Sequence, residues 1–138
     1  MFNLAMYKYA QCSQTEKQSC VPLVAQLVGL ANLVRAKGVA ALEAQIVHVD
    51  NDLLKDGIGL IIDGTEPDLV CDILETSILF SYKTGAELLA QLMIRDGLLC
   101  IQRGYNPKII EVKLLRYLDE GCREEYVKRE GVAQYAGS

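Results

Sequence analysis

Two charged side chains whose types and spacing suit a binding role, Arg35 and Glu43, lie in the string RAKGVAALE. Arg35 and Glu43 stand eight residues apart on either side of Gly38, and Lys37 precedes the glycine. If one helix continued through Gly38, this spacing would place the two opposite charges about 12 Å apart along one face. Such a pair usually belongs to a solvated helix surface. The functional alternative is a binding role for the pair.

Residue types that serve in catalysis or metal binding are few and scattered. His48 is the one histidine, and no cysteine lies near it in sequence, so we interpret it as a surface or capping residue. Carboxylates cluster between residues 50 and 68. However, Leu53 and Leu54 occupy positions where a calcium loop needs polar ligands. We therefore interpret these acids as helix caps and solvated charges.

The cysteines show no C-x-x-C spacing that would indicate a zinc or redox site. We expect free thiols, mainly buried, in a reducing cytoplasm for Cys12, Cys20, Cys71, Cys100 and Cys122. The chain also lacks a glycine loop of the phosphate-binding type and a G-x-S-x-G string. The residues alone therefore predict no enzyme, no metal site and no cofactor, and they place function on a surface.

The composition is that of a globular, acidic chain. Hydrophobic residues fill 51% of the 138 positions, and 14 basic against 18 acidic side chains give a net charge of −4. This balance disfavours binding to nucleic-acid phosphates, so no nucleic-acid partner is expected. The longest charge-free run, residues 18–34, is interrupted by polar residues, and the start of the chain does not read as a signal peptide. We expect a cytoplasmic protein without a membrane span.

The elements that position these residues are predicted by a motif that occurs twice, forty positions apart. Residues 53–74 and 93–114 align without a gap, and each copy has an apolar helix, a glycine stop and a proline restart. Gly64 and Gly104 suit the left-handed conformation just past a helix end, and Pro67 and Pro107 suit the first turn of the next helix. Each copy therefore predicts a helical hairpin.

The rest of the chain also has helical periodicity. A broad apolar stripe in residues 22–37 predicts a helix that is buried on two sides. The helix after Pro107 is expected to end near Gly121. After Pro67 we expect four residues to face inward, namely Val70, Ile73, Leu74 and Ser77. The predicted fold class is all-α, a compact bundle of about five to seven helices.

Two stretches resemble the cytoplasmic regions of MotA, the stator protein of the flagellar motor. In that family a helix ends in Arg-x-x-Gly, a Leu-Glu follows, and the next helix closes in (I/V)DGT(D/E)P. The matching strings here are LANLVRAKGVAALEAQI and GLIIDGTEPDLVCDILETSI. The second copy, IRDGLLCIQRGYNPKIIEVKLLRYL, is similar to the family's C-terminal segment with its G-x-NP-x-x-IE-x-KL pattern. Together these stretches cover roughly residues 22–119.

This resemblance implies a bacterial motility protein that contacts the rotor protein FliG through complementary charges. By motif match the basic member of the charge pair falls on Arg35 and the acidic member on Glu43. Lys37 is a further candidate beside Arg35, although no motif supports it. The membrane helices of the family are not expected here, because the short junction SILFSYKTG stands where two of them belong. We therefore expect neither an ion channel nor the membrane contact with MotB.

We expect a single soluble domain over residues 1–138. It divides into an N-terminal part of uncertain structure (1–21), two stator-like segments (22–81 and 82–120) and a charged tail (121–138) that is expected to extend a helix as far as Arg129 before fraying. The alternative function is a self-associating scaffold or regulator with no motor role, based on the apolar stripe of residues 23–34. A third class, a small helical enzyme or ligand-binding protein, has no candidate residues.

Overall fold

Helix-forming signals dominate the chain, and a computed structural model shows helices throughout residues 4–131, the part that the structure describes. These residues form eight α-helices and two 3₁₀ segments, with no β-strand among them. The all-α prediction is confirmed. In chain order the elements are α1 (Leu4–Tyr9), α2 (Gln14–Lys17), a short 3₁₀ segment (Gln18–Cys20), α3 (Val21–Lys37), a long 3₁₀ segment (Val39–His48), α4 (Asp52–Ile62), α5 (Pro67–Leu79), α6 (Gly85–Gln102), α7 (Pro107–Leu115) and α8 (Glu120–Glu130).

The helix number exceeds the expected five to seven because the N-terminal part, left uncertain above, is also helical. α1 and α2 contain 6 and 4 residues. A capping box fixes the start of α2, since the Ser13 side chain accepts a hydrogen bond from the Glu16 amide while the Glu16 side chain accepts one from the Ser13 amide. The string SQTE at residues 13–16 is the sequence signal for this start. Residues 1–3 lie outside the described part.

Both copies of the repeat end their first helix in the same way. The amide of the glycine donates to the carbonyl three residues back, and the next amide donates to the carbonyl five residues back. The φ angles of Gly64 and Gly104 are +79° and +74°. Together these features make the Schellman motif, and α5 and α7 then begin at Pro67 and Pro107. The two predicted hairpins are present.

α6 is the central helix. It contributes eleven buried residues, whereas α3, α4 and α7 contribute five each, and it packs against α3, α4, α5 and α7. Two glycines allow these close approaches. A Cβ atom at Gly57 of α4 would lie 2.3 Å from Cδ1 of Leu98, and one at Gly97 of α6 would lie 3.0 Å from Cδ1 of Leu27. The aligned Asp-Gly pairs of the repeat therefore mark helix contacts in both copies.

α3 ends at Lys37 and does not continue through Gly38. The Gly38 amide donates to the Val34 carbonyl, and Gly38 itself has φ +86° and ψ 169°. Non-glycine residues essentially never adopt this backbone conformation. The long 3₁₀ segment that follows starts in a new direction, and Leu42 is its one buried residue. The condition for a continuous helix carrying Arg35 and Glu43 is therefore not met.

α5 is rotated relative to the inward face predicted for it. Val70 and Leu74 are buried as predicted, but Ile73 and Ser77 are exposed, and Ile78 completes the buried face instead. The prediction for Ile73 and Ser77 was wrong because α5 carries apolar residues in two helical phases. Periodicity alone does not indicate which of the two phases faces the core.

The second hairpin also ends earlier than predicted. α7 stops at Leu115, not near Gly121, because the next amides bond three residues back in a 3₁₀-type turn that buries Leu118. Residues 120–130 then form α8, in which Cys122 and Tyr126 are buried. This helix agrees with the expectation that the tail extends a helix as far as Arg129 before fraying, and residues 132–138 lie outside the described part.

One helical run in the described chain, residues 14–37, is long and apolar enough to cross a membrane by length and composition alone. Core helices of soluble proteins meet the same criterion, and α3 has a buried face of Val21, Val24, Leu27, Leu30 and Ala31. The sequence expectation of no membrane span therefore depends on what lies against the other side of α3.

Candidate functional site

The three charged residues predicted to bind a partner all lie on the surface, on two different elements. Arg35 and Lys37 are exposed in the last turn of α3, where cations are favoured by the helix dipole. Glu43 is exposed in the long 3₁₀ segment beyond Gly38. None of the ion pairs found within residues 4–131 uses any of these three side chains. Their charges are therefore open to a partner.

Arg35 borders a shallow groove that connects α3 to the second copy of the repeat. The groove has a volume of about 470 Å³ and is lined by Val28, Asn32, Arg35, Asn106, Pro107, Lys108 and Glu111. Asn106 caps α7 by accepting a hydrogen bond from the Lys108 amide. The proline restart of the second copy therefore forms one wall of the groove beside Arg35.

Sequence analysis missed a buried polar cluster around Asp96 of α6. The Asp96 carboxylate accepts hydrogen bonds from Lys113 Nζ at 2.7 Å and from the Tyr117 hydroxyl at 2.8 Å. The Cys100 thiol lies 3.7 Å from the same carboxylate, one helical turn further along α6. The pattern of Asp96 and Cys100 at i and i+4, followed by Lys113 and Tyr117 at i and i+4, was the sequence signal for two facing helix surfaces.

The hydrogen-bond donors of this cluster hold their protons. The hydrogen bond to Asp96 raises the pKa of Lys113 above its usual 10.5, against the opposing effect of partial burial. Burial raises the pKa of Tyr117 well above its usual 10.0, and the Asp96 carboxylate adds to the rise. Burial likewise raises the pKa of the Cys100 thiol. These directions favour a structural anchor over proton transfer near neutral pH.

A cavity of about 450 Å³ lies beside the cluster and is lined by Tyr7, Ala10, Gln11, Lys17, Leu89, Asp96, Lys113, Arg116 and Tyr117. Most of its charge is already neutralised within the chain. Lys17 pairs with Asp119 at 2.9 Å, and Lys113 pairs with Asp96. The ion pairs that border the cavity therefore connect α2 to the start of α8, and they connect α6 to α7.

Glu111 of α7 forms a second buried anchor. Its side chain is 7% exposed, and it accepts a hydrogen bond from the Tyr126 hydroxyl of α8. Burial raises the pKa of Tyr126, and the hydrogen bond to Glu111 adds to the rise. The contact attaches α8 to α7, which explains why the charged sequence of residues 120–130 is ordered as a helix.

The remaining candidates for chemistry are separated in space or covered. His48 is exposed at the end of the long 3₁₀ segment. Within residues 4–131 there is no group of three or more histidine, cysteine or acidic side chains placed to hold a metal ion. All five cysteines are free thiols, and burial raises the pKa of each of them. Raised pKa values lower the thiolate fraction and hence the reactivity.

Comparison with known proteins relates part of the chain to a motility protein. No protein-family profile matches the chain. Over 55 residues it is 38% identical to Motility protein A of Helicobacter pylori, and the same match occurs in two strains. The matched segment covers 40% of this chain and 21% of the length of those relatives. Similarity to MotA therefore holds for part of the chain.

Proposed function

We propose that the chain is a non-enzymatic, stator-like interaction domain of the cytoplasm that docks on a rotor protein of the FliG type. Arg35, Lys37 and Glu43 carry the contact. The observation that supports this proposal is their exposure, without an ion pair in the described chain, at the adjoining ends of α3 and the long 3₁₀ segment. The partial similarity to Motility protein A supports the choice of a motor partner.

The geometry suits a contact that depends on the relative positions of the basic and acidic side chains. Gly38 redirects the chain, so the cations of α3 and the carboxylate of Glu43 are presented from two elements. A partner must therefore offer an acidic group to Arg35 and a basic group to Glu43 in a fixed arrangement. Exposed pairs of this kind steer the encounter and set its register, and they add modest affinity that salt weakens.

The proposal is tested by titrating a FliG-type protein into the isotope-labelled chain and following its amide signals by NMR. We expect shifts in α3 and the long 3₁₀ segment. The substitutions Arg35→Glu and Glu43→Lys should each weaken binding roughly tenfold, because each turns an attraction into a repulsion. Helical content, measured by circular dichroism, should not change, since both side chains are exposed.

Matched controls separate the local contact from net charge. Lys55→Glu and Asp56→Lys produce the same charge changes on an exposed part of α4, where neither residue has an ion pair in the described chain. Both controls should bind as the unmodified chain does. Equal affinity of all four variants would rule out this surface as the docking site.

The second candidate function is a self-associating scaffold. It was based on the apolar stripe of residues 23–34, whose burial the structure describes. Val24, Leu27, Leu30 and Ala31 of the stripe in residues 23–34 are buried within the same chain. Leu23, Val28 and Val34 of the same stripe are half-buried, so only this part of the stripe is left for a second copy. Light scattering over a range of protein concentrations separates the two candidates, because a scaffold would increase in mass with concentration.

A further inference from the structure

α5 has a second apolar face that the described chain leaves uncovered. Leu69, Ile73 and Phe80 are 52%, 37% and 70% exposed, and with Thr76 they follow the spacing i, i+4, i+7, i+11. This spacing places the four side chains along one side of the helix. The opposite side, formed by Val70, Leu74 and Ile78, is buried against the fold. Single exposed apolar residues are ordinary, but a stripe over the length of a helix is typical of an interaction surface.

Unpaired carboxylates border this stripe. Asp68 and Asp72 are exposed one helical turn apart along one edge of it, and Asp63 and Glu66 are exposed just before α5 begins. None of these four is in an ion pair within the described chain. α5 itself has no lysine or arginine. Its other acid, Glu75, bonds to Arg95 of α6 at 2.8 Å and is only 13% exposed.

We propose that this face of α5 docks a basic amphipathic helix of a partner protein. The apolar side of that helix covers Leu69, Ile73 and Phe80, and its lysine or arginine side chains face Asp68 and Asp72. This combination is the helix-on-helix mode of peptide recognition, with apolar anchors for affinity and charge for orientation. The contact is independent of Arg35 and Glu43.

Charge and area favour this occupant over a second copy of the chain. A second copy would bring its own Asp68 and Asp72 to an interface that already carries unpaired carboxylates. α5 has 13 residues and is therefore about 20 Å long. One such face is too small for the roughly 800 Å² per partner that a stable dimer buries. A basic helix gains attraction from the carboxylates, which makes a weak, transient complex sufficient.

The test uses the full chain and a synthetic amphipathic helix in which leucines form one face and lysines flank it. Titration followed by NMR should shift the amides of α5. Asp68→Asn combined with Asp72→Asn should weaken binding roughly fivefold, since two exposed charge contacts are lost. Leu69→Gln combined with Ile73→Gln should weaken it about tenfold through lost apolar burial. Higher salt should weaken binding of the Asp68/Asp72 variant less than binding of the unmodified chain, because fewer carboxylates remain to be screened.

Control variants make the same kinds of substitution as the test variants but at positions outside this face. Asp50→Asn combined with Asp56→Asn removes two exposed carboxylates elsewhere, and Ile109→Gln removes an apolar side chain that is 56% exposed on α7. Both should bind the peptide as the unmodified chain does. A matching peptide with glutamates in place of the lysines should not bind.

Three results would overturn the proposal. The first is binding of the glutamate peptide as tightly as the lysine peptide, which would show a nonspecific apolar surface. The second is a set of amide shifts outside α5 that the α5 variants do not change. The third is a change of the α5 signals with protein concentration in the absence of peptide, which would identify a second copy as the occupant.

Discussion

At the scale of single residues, the clearest feature is the Asp96 carboxylate, whose hydrogen bonds connect two parts of the fold. Asp96 is nearly buried on α6, and it is bonded by Lys113 and Tyr117 of the α7 region. Asp56, its counterpart in the first copy of the repeat, is exposed. Both positions are aspartate when the two copies of the repeat are aligned. The alignment therefore could not predict that one carboxylate is buried and the other exposed. Burial of the second copy's helix on all sides makes the difference.

Tyr117 offers a test of this anchor through pH. Its pKa is raised in the folded chain, so its contribution to stability is present below pH 10 and is lost as the pH rises above the usual value of 10.0. Tyr117→Phe removes the bond to Asp96. We expect it to lower the free energy of unfolding by about 1.5 kcal/mol at neutral pH, the usual cost for a bond to a charged group.

The same variant should lose less further stability than the unmodified chain as the pH rises, because the titrating hydroxyl is absent. Urea unfolding at several values between about pH 8 and pH 11 measures both effects. Burial also raises the pKa of the Cys100 thiol, and this thiol is present in both proteins that are compared. Parallel pH curves for the two proteins would refute the role of Tyr117.

At the scale of elements, the sequence predicts most where local chemistry decides. Both hairpins were predicted because Gly64 and Gly104 end a helix by their own backbone preference, and a proline restarts it. The inward face of α5 was predicted only in part, because two of its faces are apolar and packing selects between them. Continuity through Gly38 was equally undetermined, since glycine is tolerated within a helix and also permits a change of direction.

The contact between α4 and α6 gives an element-scale prediction with a built-in control. Gly57 and Gly59 lie in the same helix, but a Cβ at Gly57 would approach Leu98 to 2.3 Å, while one at Gly59 meets nothing within 4 Å. Leu98 is fully buried and has little room to move. We expect Gly57→Ala to destabilise the chain by about 1 to 2 kcal/mol through overpacking.

Gly59→Ala should instead stabilise the chain by roughly 0.5 to 1 kcal/mol, because alanine favours the helix and meets no neighbour. Thermal unfolding of the two variants, followed by circular dichroism, measures the difference directly. If both variants shifted the midpoint in the same direction, the close approach of α4 and α6 would not be a determinant of stability.

At the scale of the whole molecule, the central question is what covers α3. Residues 14–37 have the composition of a membrane span, yet the described fold covers one side of α3 with α6, α7 and α8. Leu27 is fully buried, and Gly97 of α6 leaves the space into which it packs. Gln26, the residue just before Leu27, is exposed. Before its last turn α3 carries only two polar side chains, Gln26 and Asn32, so its residues fit a core helix of a soluble bundle and a lipid-facing span alike, and the two differ in what lies against Gln26.

This difference can be tested with two substitutions at neighbouring positions. Leu27→Ala should lower the free energy of unfolding by about 3 kcal/mol, because it leaves a cavity between α3 and α6. Gln26→Lys should change stability by less than about 0.5 kcal/mol and leave the chain soluble without detergent, since its side chain faces water in the bundle. Urea unfolding of the detergent-free protein supplies both values. If the chain stays soluble and folded and tolerates Leu27→Ala as well as it tolerates Gln26→Lys, the packing of α3 on α6 would be contradicted. Loss of solubility with Gln26→Lys would indicate that this side of α3 lies against lipid or another protein.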